Sequence, residues 1–239
     1  MRSWETGKSM TEKEKTFKTF SNPPIDRFLA VCHVRQVPSK TVVIHAGDIP
    51  DTLYFIVEGS VAIVIEDEDG NEIVVTYLNR GEFFGEMGMF VQDSKRSAWV
   101  RTRSECKLAE IHYDKFKRLA HEDPDLLFEL SGQLATRLGR TTRKVGDLAF
   151  LDVTGRISRV LLDLCKEPDA MTHPDGMQIR ISRQELGRIV GCSREMAGRV
   201  LKALEEEGHI NVAGKTIVVI GATSRSDQET EMTAGLSFK

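Results

Sequence analysis

One stretch constrains this 239-residue chain more than any other. From Pro124 onward, Leu127, Leu130, Leu134, Leu138, Thr141, Val145 and Leu148 follow one another at separations of 3, 4, 4, 3, 4 and 3 residues. That spacing lays a single narrow stripe along one helix over residues 124–151, roughly seven turns long. The doubled step of four resembles a stutter in a heptad seam. Two packings satisfy such a stripe. The helix can lie on its own domain, or it can zip against a second copy. The narrowness of the stripe and its charged flanks favour the parallel dimer seam. Thr141 interrupts the apolar row and Thr142 sits beside it. A polar residue in a seam costs stability unless something partners it, and a bound ligand is one such partner.

The pattern on either side of this helix differs. Pro23 and Pro24 open a short helix over 25–31. Then come β-rich runs at 41–45, 53–58, 60–66, 72–78, 98–102 and 107–111, separated by turn residues such as Gly47, Gly59, Gly81 and the stretch 85–88. Asp69-Gly70 between two β-branched runs marks a hairpin. Many short strands at this spacing indicate a sandwich, jelly roll or small barrel. After a joint at 146–152 the chain turns mostly helical: a helix over 153–166, a turn-rich loop over 168–176, and a hairpin over 211–220. The expected class is α+β, with an N-terminal extension at 1–22, a β domain at 23–123, the long helix and hinge at 124–151, a helical domain at 152–221 and a tail at 222–239. The extension and tail are polar and expected to be flexible.

Composition narrows the function classes. The net charge of −3 does not announce a nucleic-acid partner, so a DNA-binding surface must be a local patch. Cys32, Cys106, Cys165 and Cys192 are scattered without a CxxC pair, which speaks against a disulfide framework and a structural zinc site. No metal is expected. No apolar run reaches the roughly 20 residues that cross a bilayer, and the N-terminus lacks the apolar core of a signal peptide. The expectation is a cytoplasmic protein with no membrane partner.

Two constellations carry chemistry. In the first, Ser182 caps a helix running to Val190, Gly191 makes a tight turn, and Ser193 caps a second helix that Gly208 ends. This is a helix-turn-helix pattern. Arg194, Glu195 and Arg199 lie within about 140° on the second helix, at the end that enters a major groove. Arg pairs bidentately with guanine, and Glu accepts from cytosine. Arg183, Gln184, Ser193 and Lys202 complete the candidate DNA-binding set. From Arg180 to Lys202 there are six basic residues against two acidic, an excess suited to phosphates. An ordinary solvated helix pair would also fit this pattern.

The second constellation is Phe83-Phe84-Gly85-Glu86-Met87-Gly88-Met89-Phe90, with Arg96-Ser97-Ala98 following. Glycines let a backbone approach a phosphate, Arg supplies a charged fork for it, and a carboxylate accepts from a ribose hydroxyl. Each feature alone is commonplace; the combined spacing is informative.

GEMGMF…RSAWVR is similar to the phosphate-binding cassette of cyclic-nucleotide-binding domains. LAFLDVTGRI, PDAMTHPDGMQIRISRQELGRIVGCSRE and GKTIVV resemble the cyclic AMP receptor/fumarate-nitrate regulator family of bacterial transcription factors over residues 25–221. The resemblance implies a cyclic-nucleotide-binding β-roll (jelly roll), a dimerisation helix and a winged helix-turn-helix in a homodimer that binds cyclic AMP, double-stranded DNA and RNA polymerase. It implies that Gly85, Glu86, Arg96 and Ser97 meet ribose and cyclic phosphate. Thr141 would meet the adenine ring, and Thr142, where the family's best-known member has Ser, would reach the ligand from the other subunit. Arg194, Glu195 and Arg199 match base-reading positions, implying a TGTGA-type half-site. Ala170, Thr172, His173 and Gly176 fall on an exposed loop that matches a polymerase contact. His33, Arg35, Glu110 and Lys115 fall on a second, with Arg35 replacing a His. The acidic hairpin of Glu66, Asp67, Glu68 and Asp69 matches a third.

The same residues bear on other classes. Relatives with this fold sense cyclic di-GMP, haem-bound gas or an iron–sulfur cluster, or act without ligand. Arg96-Ser97 suits a compact cyclic phosphate, and neither His nor Cys shows ligand spacing. An enzyme is disfavoured: there is no nucleophile elbow, HExxH or Walker lysine. The helix-turn-helix speaks against a regulatory subunit that inhibits an enzyme.

Overall fold

The computed structural model describes residue 20 and residues 22–91 and 95–223. The expected extension and tail lie mostly outside the described residues. Phe20 is an exception: assigned to the extension, it packs its ring edge-on against Phe55 at 5.2 Å.

Eight strands make two antiparallel four-stranded sheets. They are β1 (His33–Val37), β2 (Val42–Ile44), β3 (Thr52–Glu58), β4 (Ser60–Glu66), β5 (Glu72–Asn79), β6 (Phe83–Phe84), β7 (Trp99–Thr102) and β8 (Cys106–His112). One sheet runs β1-β8-β3-β6, the other β2-β7-β4-β5. Alternation along each strand sends one set of side chains between the sheets. Val37, Ile44, Ile56, Val61, Leu78, Phe84, Val100 and Leu108 meet there, one from each strand. This is the expected roll.

The outer faces are covered differently. Against the first sheet lie α1 (Pro23–Val31), α3 (Tyr113–Glu122) and the start of α4 (Asp125–Phe150). Their Phe28, Phe116, Leu126 and Leu130 pack on Phe55, Phe83 and Ile111. Phe28, Phe55, Phe83 and Phe116 interlock through edge-to-face rings 4.7–6.4 Å apart, the offset geometry that aromatic quadrupoles favour. A single helical turn, α2 (Met87–Phe90), follows β6.

The third unit holds α5 (Val153–Leu164), β9 (Met171–His173), β10 (Gly176–Arg180), α6 (Arg183–Val190), α7 (Arg194–Glu206), β11 (Ile210–Ala213) and β12 (Thr216–Ile220). Its sheet runs β11-β12-β10-β9 and packs the three helices through Ile157, Leu161, Leu186, Leu201 and Ile217. Residues 168–176, expected to be a loop, instead carry β9 and the turn into β10, pairing Thr172 with Met177 and His173 with Gly176.

This unit docks on the outer face of the second sheet. Leu164 and Ile189 pack against Ala62, Val64, Val74 and Tyr77. Around that small apolar patch the contact is polar. Tyr77 Oη donates to Glu185 at 2.7 Å, and Asn79 Nδ2 donates to Glu167 at 2.7 Å. Glu72 bridges Arg101 and Arg188, each at 3.0 Å. Arg103 pairs with Asp169 at 3.1 Å while its guanidinium lies 3.7 Å from the centroid of the Tyr77 ring.

Candidate functional site

The cassette begins where β6 ends. Gly85 takes φ +79°, a left-handed conformation that strains any other residue. A Cβ there would lie 2.8 Å from Arg96 Nη1 and 3.2 Å from Ile44 and Tyr54. The glycine is therefore required twice, by its backbone and by the guanidinium lying across it. Gly88 is required sterically, because a Cβ would sit 2.3 Å from Pro50.

Arg96 is held by the cassette backbone. Nη1 donates to Gly85 O at 2.6 Å and to Tyr113 Oη at 3.0 Å, and Nη2 donates to Thr52 O at 2.7 Å. Tyr113 Oη in turn donates to Gly85 O. Burial pushes the Tyr113 hydroxyl above its usual range despite the nearby Arg96 charge, so it stays protonated. Ser97 is exposed and its hydroxyl donates to Met87 Sδ at 3.4 Å. Glu86 is only 6% exposed, and its carboxylate accepts from Arg137 of α4 at 3.1 Å. Sequence reasoning missed Tyr113 and Arg137. Arg137 lies one turn before Thr141, which was the available signal.

The structure therefore brings Gly85, Glu86, Arg96 and Ser97 together: a cationic fork against a bare backbone, with a buried carboxylate beside it. That donor set fits a small anion joined to a sugar hydroxyl. Thr141 and Thr142 stand exposed further along α4, and the Thr141 hydroxyl donates to Arg137 O at 3.0 Å. They share α4 with Arg137 but are not gathered into the cradle. Separately, a groove of about 1340 Å³ opens between β5, α4 and α5, lined in part by Arg140, Lys144, Arg159 and Lys166.

The helix pair is built as its caps dictate. Ser182 Oγ accepts from Glu185 N at 3.1 Å, and Ser193 Oγ accepts from Met196 N at 3.1 Å. Caps of this kind are worth about 1 kcal/mol each. Gly191 ends α6 at φ +75° with its N–H on Gly187 O at 2.8 Å. Gly187 lets the turn approach, since a Cβ would lie 2.6 Å from Cys192 O. Arg183, Gln184, Ser193, Arg194, Glu195, Arg199 and Lys202 are all exposed. Docking on the roll leaves that edge open. The backbone N–H of Glu195 itself and Ser193 at the helix start hold the Glu195 carboxyl below its usual range, so it is ionised and ready to accept.

His33 pairs with Glu110 across β1 and β8 and Arg35 bonds Glu110, while Lys115 Nζ donates to Val31 O at 2.7 Å. Ala170, Thr172, His173 and Gly176 lie on or beside the β9–β10 hairpin, with Thr172 exposed and Ala170, His173 and Gly176 half-buried. Glu66, Asp67, Glu68 and Asp69 form the exposed tip of the β4–β5 hairpin. Among the described residues no helix is long and apolar enough to cross a membrane.

Comparison with known proteins agrees with both halves. Residues 34–123 match the cyclic nucleotide-binding domain, and residues 179–210 match the crp family of bacterial regulatory proteins. The chain is 60% identical over 200 residues to the cAMP-activated global transcriptional regulator Vfr of Pseudomonas aeruginosa, covering 82% of this chain and 94% of that one. It is 56% identical over 204 residues to the cAMP-activated global transcriptional regulator CRP of Salmonella typhimurium, covering 85% and 97%. Among solved structures, the c-di-GMP responsive global regulator CLP of Xanthomonas campestris superposes with a TM-score of 0.78 at 50% identity, over 83% of this chain and 99% of that one. This chain belongs to the crp family of bacterial transcriptional regulators.

Proposed function

We propose that the chain is a cyclic AMP-responsive homodimeric transcription regulator that binds palindromic TGTGA-type DNA sites and contacts RNA polymerase in the cytoplasm. One observation carries this reading: a guanidinium laid across a glycine backbone beside a buried carboxylate, on the same chain as a doubly capped helix pair with an open reading edge.

In this reading cyclic AMP supplies a compact cyclic phosphate, a ribose 2′-hydroxyl and a purine. Arg96 neutralises the phosphate while Gly85 gives it close backbone approach. Glu86 accepts from the ribose hydroxyl. Thr141 and, from the second subunit, Thr142 complete the site at the seam. Any change in the grip on Glu86 is felt by Arg137, hence by α4, hence at the joint before α5. Two-fold symmetry then presents two α7 helices to half-sites about one helical turn apart, a spacing taken from the known docking of this family. The ligand shifts this balance only by its preference for the DNA-competent state. The 170–176 hairpin, the His33–Lys115 cluster and the acidic β4–β5 tip are the surfaces offered to polymerase.

The relation to a c-di-GMP responsive regulator makes the ligand the point to test. DNA binding to a TGTGA palindrome is titrated against cyclic AMP, cyclic GMP and cyclic di-GMP at one salt concentration. The reading expects cyclic AMP to tighten binding and Arg96→Leu to abolish that response. Tightening by cyclic di-GMP alone, or undiminished response in Arg96→Leu, would contradict it.

A further inference from the structure

The strand that delivers the cassette is an edge. β6 pairs with β3 on one side and is the last strand of its sheet. Phe83 is fully buried, so water cannot satisfy its backbone groups. Helix α4 does so instead. Gln133 Oε1 accepts from Phe83 N at 2.8 Å, and Gln133 Nε2 donates to Gly81 O at 2.9 Å. One turn later Arg137 Nη2 donates to Phe83 O at 2.7 Å. A primary amide carries an acceptor and donors in one rigid plane, so it can bond two points of an open strand as a neighbouring peptide would. The segment it grips leads into Gly85 and Glu86 two and three residues after Phe83.

We infer that Gln133 is a positioning residue that couples the nucleotide cassette to the dimer helix, by fastening residues 81–83 to α4. The inference rests on the cyclic-nucleotide reading above. Arg137 cannot do this alone, because it divides its guanidinium between Phe83 and the ligand-facing Glu86. Gln133 bonds Phe83 and Gly81, none of the residues assigned to ligand or DNA. It fixes the backbone on which the cradle is built, so movement at Gly85 and Glu86 is passed to the helix rather than absorbed in a loose edge.

The test measures the factor by which saturating cyclic AMP tightens binding of the full chain to a TGTGA palindrome, alongside cyclic AMP affinity by calorimetry. Gln133→Met removes both bonds and keeps the shape; Gln133→Glu keeps the acceptor toward Phe83 N. Thr136→Ala is the control, since the Thr136 hydroxyl bonds only Gly132 O within α4. Gln133→Met is expected to reduce the factor about tenfold, within the usual range of coupling between sites. Gln133→Glu should fall between it and wild type, and Thr136→Ala should match wild type. Should Gln133→Met fail to fold, Gln133→Glu carries the test. An undiminished factor in the Gln133 variants, with or without a lower melting temperature, would overturn the coupling role. No response to cyclic AMP in the wild type would overturn the function reading itself, and the inference with it.

Discussion

At the residue scale the cradle depends on a missing side chain. Gly85→Ala would force a left-handed φ on alanine and drive its Cβ to 2.8 Å from the guanidinium of Arg96. The backbone term alone is worth about 1–2 kcal/mol. We expect a modest loss of thermal stability and a much larger loss of cyclic AMP affinity, because the displaced group is the one the proposed function assigns to the phosphate. Calorimetry and melting on the same variant check this; unchanged nucleotide affinity would contradict it. Gly85, Glu86, Arg96 and Ser97 were legible in the sequence because their spacing is itself a motif. Gln133 and Arg137 were not. On a helix of mixed polarity a Gln or Arg reads as solvated, and only the fold shows that this face meets an open strand edge.

At the element scale the winged domain is held to the roll mainly by polar bonds. Partly exposed ion pairs contribute about 0–1 kcal/mol each, so this contact is adjustable rather than fixed. Glu167 has a pH signature. Burial raises its carboxyl above the usual range, although the bond from Asn79 pulls the other way. The native state therefore holds the proton more tightly than the unfolded chain. The contribution of Glu167 to stability is fullest below the ordinary carboxylate pKa and falls as pH rises through the raised folded value. Glu167→Gln keeps the acceptor and removes the titration. Melting at about pH 4 and at about pH 7.5, the first within and the second well above the ordinary carboxylate range, should show the variant gaining on wild type at the higher pH. Equal differences at both would contradict the assignment. The sequence showed most elements of the chain, but not β1, β6, β9, β10, α2 or α3. β1 is short with alternating polar residues, and β9 sits among Pro, Asp and Gly turn residues that mask a three-residue strand.

At the scale of the whole molecule the long helix is the organising feature, and its stripe was the plainest signal in the sequence. Leu126 and Leu130 bury against the roll, while Leu138 and Val145 remain 68% and 61% exposed in the single chain. Such a row along a helix of about 39 Å is what a second copy would cover. Leu138→Glu should yield a monomer in sedimentation and weaken operator binding severely, since one reading head cannot engage both half-sites. A dimer retained with full affinity would contradict the seam. The docking of the winged domain on the second sheet was not legible, because β4 and β5 alternate as any two-faced strand does and do not name what covers the outer face.

Coupling between two sites must be reciprocal. The direct test is a calorimetric titration of cyclic AMP into the free protein and into protein preloaded with a TGTGA palindrome. Cyclic AMP should bind the DNA complex more tightly, by the same factor by which it tightens DNA binding. Equal affinity in the two titrations would contradict the claim that the cradle at Arg96 controls the reading helices.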